Sequence, residues 1–210
     1  MSRKDLQSAD PAEHEPPSAD SPAEGQAWVD LASFSNPEYD PQRGMLVRTA
    51  WYFVSVLVFE SGWFPLSRFK TALLRLFGAG IGEGVVIKPH VRIKYPWRLV
   101  VGDHCWIGQG TWIDNIENVS IGSHVCVSQL TYFCTGSHNY RLRTFDLDAR
   151  EIRVADGAWL GARCLILGGV TVGANALVTA GSVVNRDVEA AAIVRGNPAT
   201  PLERSRERPT

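Results

Sequence analysis

Three scarcities narrow what this chain can be before any motif is sought. The first is excess charge: across 210 residues, 21 Lys and Arg face 22 Asp and Glu, for a net charge of −1. That balance argues against a nucleic-acid binder, which needs a basic stripe, and against an acidic tail made for a basic partner. The second is cysteine: Cys105, Cys126, Cys134 and Cys164 show neither CxxC spacing nor pairing with histidines. They read as buried thiols of a reducing compartment rather than as a metal site or disulfide framework. The third is the long apolar run. The uncharged stretch from Thr49 to Phe59 falls short of the roughly 20 residues that cross a bilayer. No apolar stretch precedes Trp28, so no signal peptide is expected and the cytoplasm is the expected location.

What the chain does have is a six-residue period. Ile81, Ile87 and Ile93 share one frame; Val101, Ile107 and Ile113 follow two residues out of step; Ile121, Val127 and Phe133 slip by two again. Val154, Leu160, Ile166, Val172, Val178 and Val184 then run unbroken. Four places after these aliphatics sit mostly small residues, among them Val85, Cys105, Thr111, Thr131, Ser137, Ala158, Cys164 and Ser182, with Trp97 bulky and Glu117 charged as exceptions. Both positions are expected to face inward. Glycine follows the aliphatic directly at 82, 102, 108, 122, 161 and 173, where a turn at positive φ would use its freedom. A short strand plus a corner, repeated, is a β-solenoid whose coils stack around one apolar core.

The rest of the chain divides around that solenoid, which spans 81–198. Residues 1–40 are expected to be mostly a disordered tail, since Pro, Ala, Ser, Asp and Glu dominate as far as about residue 27 and bury too little apolar surface to offset ordering entropy. Residues 41–80 read as one or two helices broken near Gly62 and Pro65. Two roles stand for them: a cap over the open first coil, or an interfacial anchor at 45–77 in which Arg68, Lys70 and Arg75 alternate with Leu66, Phe69, Leu73, Leu74, Leu76 and Phe77. Both can hold at once. The two-residue slips near Leu99 and Asn118 read as small corner insertions, and 199–210 as a solvated tail. The largest break, the excursion loop 138–153, is polar, and a polar excursion from a compact repeat usually belongs to a binding site.

His138 opens that loop within Thr135-Gly136-Ser137-His138-Asn139-Tyr140. An imidazole, with an unperturbed pKa of about 6.5, is matched to taking a proton from a hydroxyl at neutral pH. An exposed loop histidine with no such role is the alternative.

The hexads, the segment Thr135 to Tyr140, Ala158-Trp159-Leu160-Gly161 and the terminal Gly196-Asn197-Pro198-Ala199 together resemble the left-handed β-helix O-acetyltransferases. Within these the chain is most similar to the colanic acid biosynthesis acetyltransferases, related to the galactoside, maltose and nodulation acetyltransferases, over roughly Asn36 to Ala199. The resemblance implies an all-β left-handed parallel β-helix, a homotrimer with active sites between neighbouring subunits, acetyl-CoA as co-substrate, no metal, and a sugar or lipid-linked glycan acceptor in exopolysaccharide or surface-glycan assembly. It implies His138 as catalytic base. It assigns acetyl-CoA binding to Gly161, Ala162, Ala180, Gly181, Asn185, Arg186, Gly196, Asn197 and Pro198. Trp112, Asp114 and Asn115 match the acceptor-side segment, where Trp112 could stack on a pyranose; either Asp114 or a backbone carbonyl could orient His138. Asn139 and Tyr140 are further acceptor candidates, and backbone N–H groups from Trp159 to Ala162, Trp159 and Gly161 among them, are candidate oxyanion donors. One departure stands out: Thr200 follows Gly-Asn-Pro-Ala where the family usually has a basic residue, so contact with the CoA phosphates there would need Arg204 or Arg206 instead.

Two other readings share the hexads. A γ-type carbonic anhydrase-like zinc lyase would need three histidines, and His90, His104 and His124 are the candidates, with His104 and His124 at equivalent corners about one coil apart and able to stack. The close histidine pair expected of that family is missing, which favours plain corner residues. The last reading is a catalytically silent structural solenoid.

Overall fold

The computed structural model describes residues 27–36 and 39–207. The greater part of the segment read as a disordered tail, residues 1–26, lies outside the described residues.

From Gly80 the chain winds through six coils; the first five each contribute one short strand to each of three parallel sheets, and the sixth adds a bridge at Val188 and one strand of the second sheet. The first sheet stacks Gly80–Ile81, Leu99–Val101, Val119–Ile121, Ile152–Val154 and Thr171–Val172; the second runs from Val86–Ile87 up to Ala192–Arg195; the third stacks Arg92–Ile93, Trp112–Asp114, Tyr132–Cys134, Leu165–Leu167 and Val183–Val184. Arg153 pairs with Thr171, an offset of three hexads, whereas Gly80 pairs with Val100 and Val100 with Ser120. The two extra residues per coil are the corner insertions seen in the sequence. Every aliphatic of the hexad column is buried, and so are the small residues four places on, apart from the two noted exceptions and Ser137. Ser137 is exposed because the chain leaves the coil after Cys134, and Thr135 fills the interior instead. This is the left-handed parallel β-helix that the resemblance implies.

The hexad glycines have a different reason from the one expected. None of Gly82, Gly102, Gly108, Gly122, Gly161 and Gly173 is at positive φ. A Cβ on any of them would meet backbone of the next coil, at 2.6 Å from the Ala180 nitrogen for Gly161 and 2.5 Å from the Ala190 nitrogen for Gly173. The left-handed residue falls two positions later, at His90, His104, Gly110, His124, Gly157, Arg163, Asn175 and Gly181 among others. Histidine and asparagine are among the side chains that tolerate this region best.

Helix α1 (Met45–Val54), a π-helical turn (Ser55–Glu60) and α2 (Ser67–Leu76) cover the first coil. The open edge of a solenoid leaves carbonyls without partners, and buried ones are costly. Here side chains meet them. Arg75 donates to the carbonyls of Ile81 and Gly82, Ser67 to Ile87, Lys70 to Lys88, and the Trp51 indole to Ile93 at 2.8 Å. Trp51 also packs on Phe59 and Phe77 at 5.2 Å between ring centroids. Lys70 is fully buried, and desolvation holds its ammonium pKa below the ordinary value.

The far end closes differently. Thr200–Ser205, within the stretch expected to be a solvated tail, folds back as an antiparallel strand on Ala192–Arg195. Its side chains are mostly exposed, so composition alone gave no strand signal; the backbone pairs because the sixth coil offers an edge.

Candidate active site

The excursion loop is a β-hairpin, Gly136–His138 antiparallel to Leu147–Ala149, with His138 opposite Leu147. It begins and ends at one point on the third coil, where the Arg150 N–H donates to the Thr135 carbonyl at 2.9 Å. Phe145 adopts φ of 52°, a left-handed conformation that brings its carbonyl to His138 Nδ1 at 2.8 Å. A carbonyl only accepts, so Nδ1 carries the proton and Nε2 keeps the lone pair. The imidazole lies flat on the Phe145 ring, 4.3 Å between centroids and 4° between planes, and Phe34 meets it edge-on at 5.7 Å. Phe34 belongs to residues 27–36, which reach the hairpin through the Asp30 N–H to the Arg143 carbonyl and an Asp30–Arg143 ion pair. The orienter of His138 is therefore the Phe145 carbonyl and not Asp114.

Asp114 is engaged elsewhere. One carboxylate oxygen pairs with Lys94 at 2.9 Å and the other accepts from the Tyr132 hydroxyl at 3.3 Å. Burial first, then Cys134 and Asp114, push the Tyr132 pKa up, which keeps that hydroxyl a donor. Asp114 and Trp112 border a cleft of about 400 Å³ between α1 and the third sheet, with Arg48, Glu60, Arg92 and Lys94 on its other walls. Trp112 has less of its ring open to a sugar than expected: Tyr132 covers one face at 4.5 Å and the Arg92 guanidinium lies over the ring at 6.0 Å, one coil on each side.

Asn115 is corrected outright. It is completely buried; its amide oxygen accepts from the Tyr95 N–H at 3.0 Å and its amide nitrogen donates to the Tyr95 carbonyl at 2.7 Å. It joins two coils and has nothing left for a sugar. Asn139 keeps only half of its amide free, because Oδ1 caps the hairpin turn by accepting from the Arg141 N–H. Tyr140 stands exposed at the hairpin tip.

The residues assigned to acetyl-CoA fall into two places. Ala162, Ala180, Gly181 and Gly196 to Pro198 share the corner between the second and third sheets on the last three coils. The Gly181 N–H donates to the Ala162 carbonyl, and Ser182 Oγ accepts from the Gly196 N–H. A Cβ on Gly181 would meet nothing within 4 Å, so this corner is open ground rather than packing. Gly161, by contrast, is closed in by the next coil. Asn185 and Arg186 follow Val183–Val184, at the other edge of the third sheet, exposed. Arg206 does not stand in for the basic residue missing at Thr200: its guanidinium donates to the Gly157 carbonyl at 3.0 Å, on a different corner.

Two oxyanion candidates are also withdrawn. The Trp159 N–H donates to Ala176 and the Gly161 N–H to Val178, each at 2.8 Å, as part of coil stacking. Among the described residues no acceptor takes the Ala162 N–H, which leaves it as the donor of that segment free to meet a ligand.

His104 and His124 stack at 5.3 Å on one corner, while His90 sits on another with Nδ1 against the Glu60 carbonyl. All three hold the left-handed corner position. No group of three or more His, Cys, Asp or Glu among the described residues could hold a metal ion. The four cysteines are free, and burial raises the pKa of Cys105 and Cys164.

Sequence reasoning missed Phe145, Phe34, Lys94 and Tyr132. Tyr132 lies one coil above Trp112 and Lys94 one coil below Asp114, so the 20-residue register could have paired both; nothing periodic marks Phe145 and Phe34.

The stacked hexad coils, interrupted by one hairpin, give the chain the fold of the β-helix acyltransferases. Comparison with known proteins agrees: this chain belongs to the hexapeptide-repeat acetyltransferases. No protein-family model matches it. It is 38% identical over 172 residues, 81% of this chain and 93% of the relative, to the Escherichia coli protein named WcaF for colanic acid biosynthesis acetyltransferase. A hexapeptide-repeat acetyltransferase of Vibrio cholerae superposes with a TM-score of 0.70 at 28% identity, covering 78% of this chain and 92% of the other. The same Vibrio protein has been solved in complex with acetyl coenzyme A, with a TM-score of 0.69 over 78% of this chain and 88% of that one.

Proposed function

We propose that the protein transfers an acetyl group from acetyl-CoA to a sugar hydroxyl, with His138 as general base, in the assembly of an exopolysaccharide or related surface glycan. The observation that carries the reading is the Nδ1 hydrogen bond to the Phe145 carbonyl, which fixes the tautomer that leaves Nε2 basic. Nε2 takes the hydroxyl proton as the oxygen attacks the thioester carbonyl. The tetrahedral intermediate collapses with cleavage of the C–S bond, and the imidazolium returns its proton to the departing thiolate. Proton transfer of this kind contributes about 10² to 10⁴ in rate. The free Ala162 N–H is the donor suited to the developing oxyanion, and the open ground at Gly181 suits a pantetheine arm. The WcaF relationship supports the glycan context, and four unpaired cysteines suit a reducing compartment such as the cytoplasm.

We take the assembly to be a homotrimer, and the positions of these pieces support packing between copies. The hairpin root and the open corner sit at opposite edges of the third sheet, separated by its strands, so one chain by itself presents the base and the donor groove apart. A second copy packed edge to edge brings the base of one against the groove of the other. Thiol release from acetyl-CoA across a panel of sugars and nucleotide sugars tests the reading. His138→Ala is expected to lower turnover about 10² to 10⁴-fold while CoA binding persists. Transfer left intact by that substitution would remove the general-base role, and absence of CoA binding would favour a silent solenoid.

A further inference from the structure

Helix α1 is apolar on both sides. Trp51, Ser55 and Phe59 face the first coil and are buried, whereas Leu46, Phe53, Val56 and Leu57 face out, Leu46 at 87% and Phe53 and Leu57 at 58% exposure. Between Gly44 and Phe59 the one charged side chain is Arg48, which is half-buried on the cleft side. The turn into α2 continues the surface with Trp63 and Leu66, 70% and 61% exposed. Exposed apolar surface of this extent on a folded protein marks an interaction site.

Charge identifies what covers it. From Pro41 to Gly78 the chain carries Arg43, Arg48, Arg68, Lys70 and Arg75 against a single carboxylate, Glu60. Glu60 is spent on Ser55 and Arg92, and the exposed rim residues Arg43 and Arg68 are cationic. Two copies meeting through this face across a twofold axis would bring cationic rims together, which is unfavourable, while an anionic layer complements both rim and centre. Among the described residues no helix is long and apolar enough to cross a membrane, so the face would lie on a bilayer rather than span it. We propose that α1, the π-helical turn and the start of α2 form a docking surface for an anionic lipid bilayer, with Phe53, Leu57 and Trp63 entering the headgroup boundary and Arg43 and Arg68 meeting lipid phosphates.

Co-flotation of the full chain with phosphatidylglycerol vesicles, and in parallel with phosphatidylcholine vesicles, tests this without acetyl-CoA or acceptor. Its failure is thus separate from any failure of the acetyltransferase reading. The wild-type protein is expected to float with phosphatidylglycerol and to remain largely behind with phosphatidylcholine. The double variant Phe53→Asp/Leu57→Asp, at exposed positions, should lose at least about tenfold in partitioning, with unchanged melting temperature and elution volume. Equal flotation on both lipids, no flotation of the wild type, or full flotation of the double variant overturns the proposal. So does a drop in oligomeric mass of the double variant, which would assign the face to contacts between copies.

Discussion

The solenoid is interrupted by insertions of two kinds, and they differ in what they do with their polar groups. The corner insertions turn their polar groups onto the fold. Arg98 is buried and held by Glu117 at 2.8 Å and by the Asp40 carbonyl at 2.6 Å, and Asn115 gives its whole amide to Tyr95. The hairpin leaves something over: His138 has one nitrogen fixed by Phe145 and the other unassigned. Arg98 still keeps its Nε buried without a partner, but among the described residues no corner insertion exposes a base, whereas the hairpin holds one available for chemistry.

The sharpest way to break this contrast is to remove the hairpin. Because Thr135 and Arg150 already meet through a backbone hydrogen bond, replacing residues 136–149 by two glycines should leave the coils folded. Acetyl transfer should fall at least about 10²-fold with little change in melting temperature; a molten product would mean that the hairpin is structural after all. Next in size, Ala162→Pro removes the free N–H and should cost about 10² to 10³ in turnover if that donor meets the oxyanion. Its thermal midpoint serves as the control. At a corner insertion the opposite pattern is expected. Asn115→Ala strands two backbone groups of Tyr95, so chemical denaturation should show a loss of about 1–3 kcal/mol, with turnover per folded molecule retained.

The smallest effect concerns the cap. Burial lowers the Lys70 pKa from its ordinary 10.5, so between the lowered value and 10.5 the unfolded chain binds more protons than the folded one. Stability therefore rises with pH through that window. Lys70→Met should flatten this dependence, as thermal scans from neutral pH upward would show.

The inward columns and the corner slips could be read from sequence because a repeat states its rule many times; the excursion was seen too, but the hairpin runs from Gly136 to Ala149 and not from 138 to 153. Ile107 or Val172 is interpretable from its neighbours in frame. The Phe145 carbonyl was not, since it reaches His138 through one left-handed residue in a segment that repeats nothing. Asn115 was misread for a different reason. An amide at a corner can serve the coil before it or a ligand, and the choice depended on Tyr95 lying one 20-residue coil earlier. The hexad glycines were given the right residue type and the wrong cause: conformational freedom was expected, and the crowding of adjacent coils decides.

The column of left-handed residues three places after most inward aliphatics also acts as a sieve for histidines. His90, His104 and His124 all fall in it, so the backbone alone accounts for their being histidine, as it does for Asn175. His138 falls through, five places after Phe133, where the lattice asks for no such residue. In any hexad protein, histidines caught by that sieve are weak witnesses to chemistry, and the one that escapes it is the first to mutate.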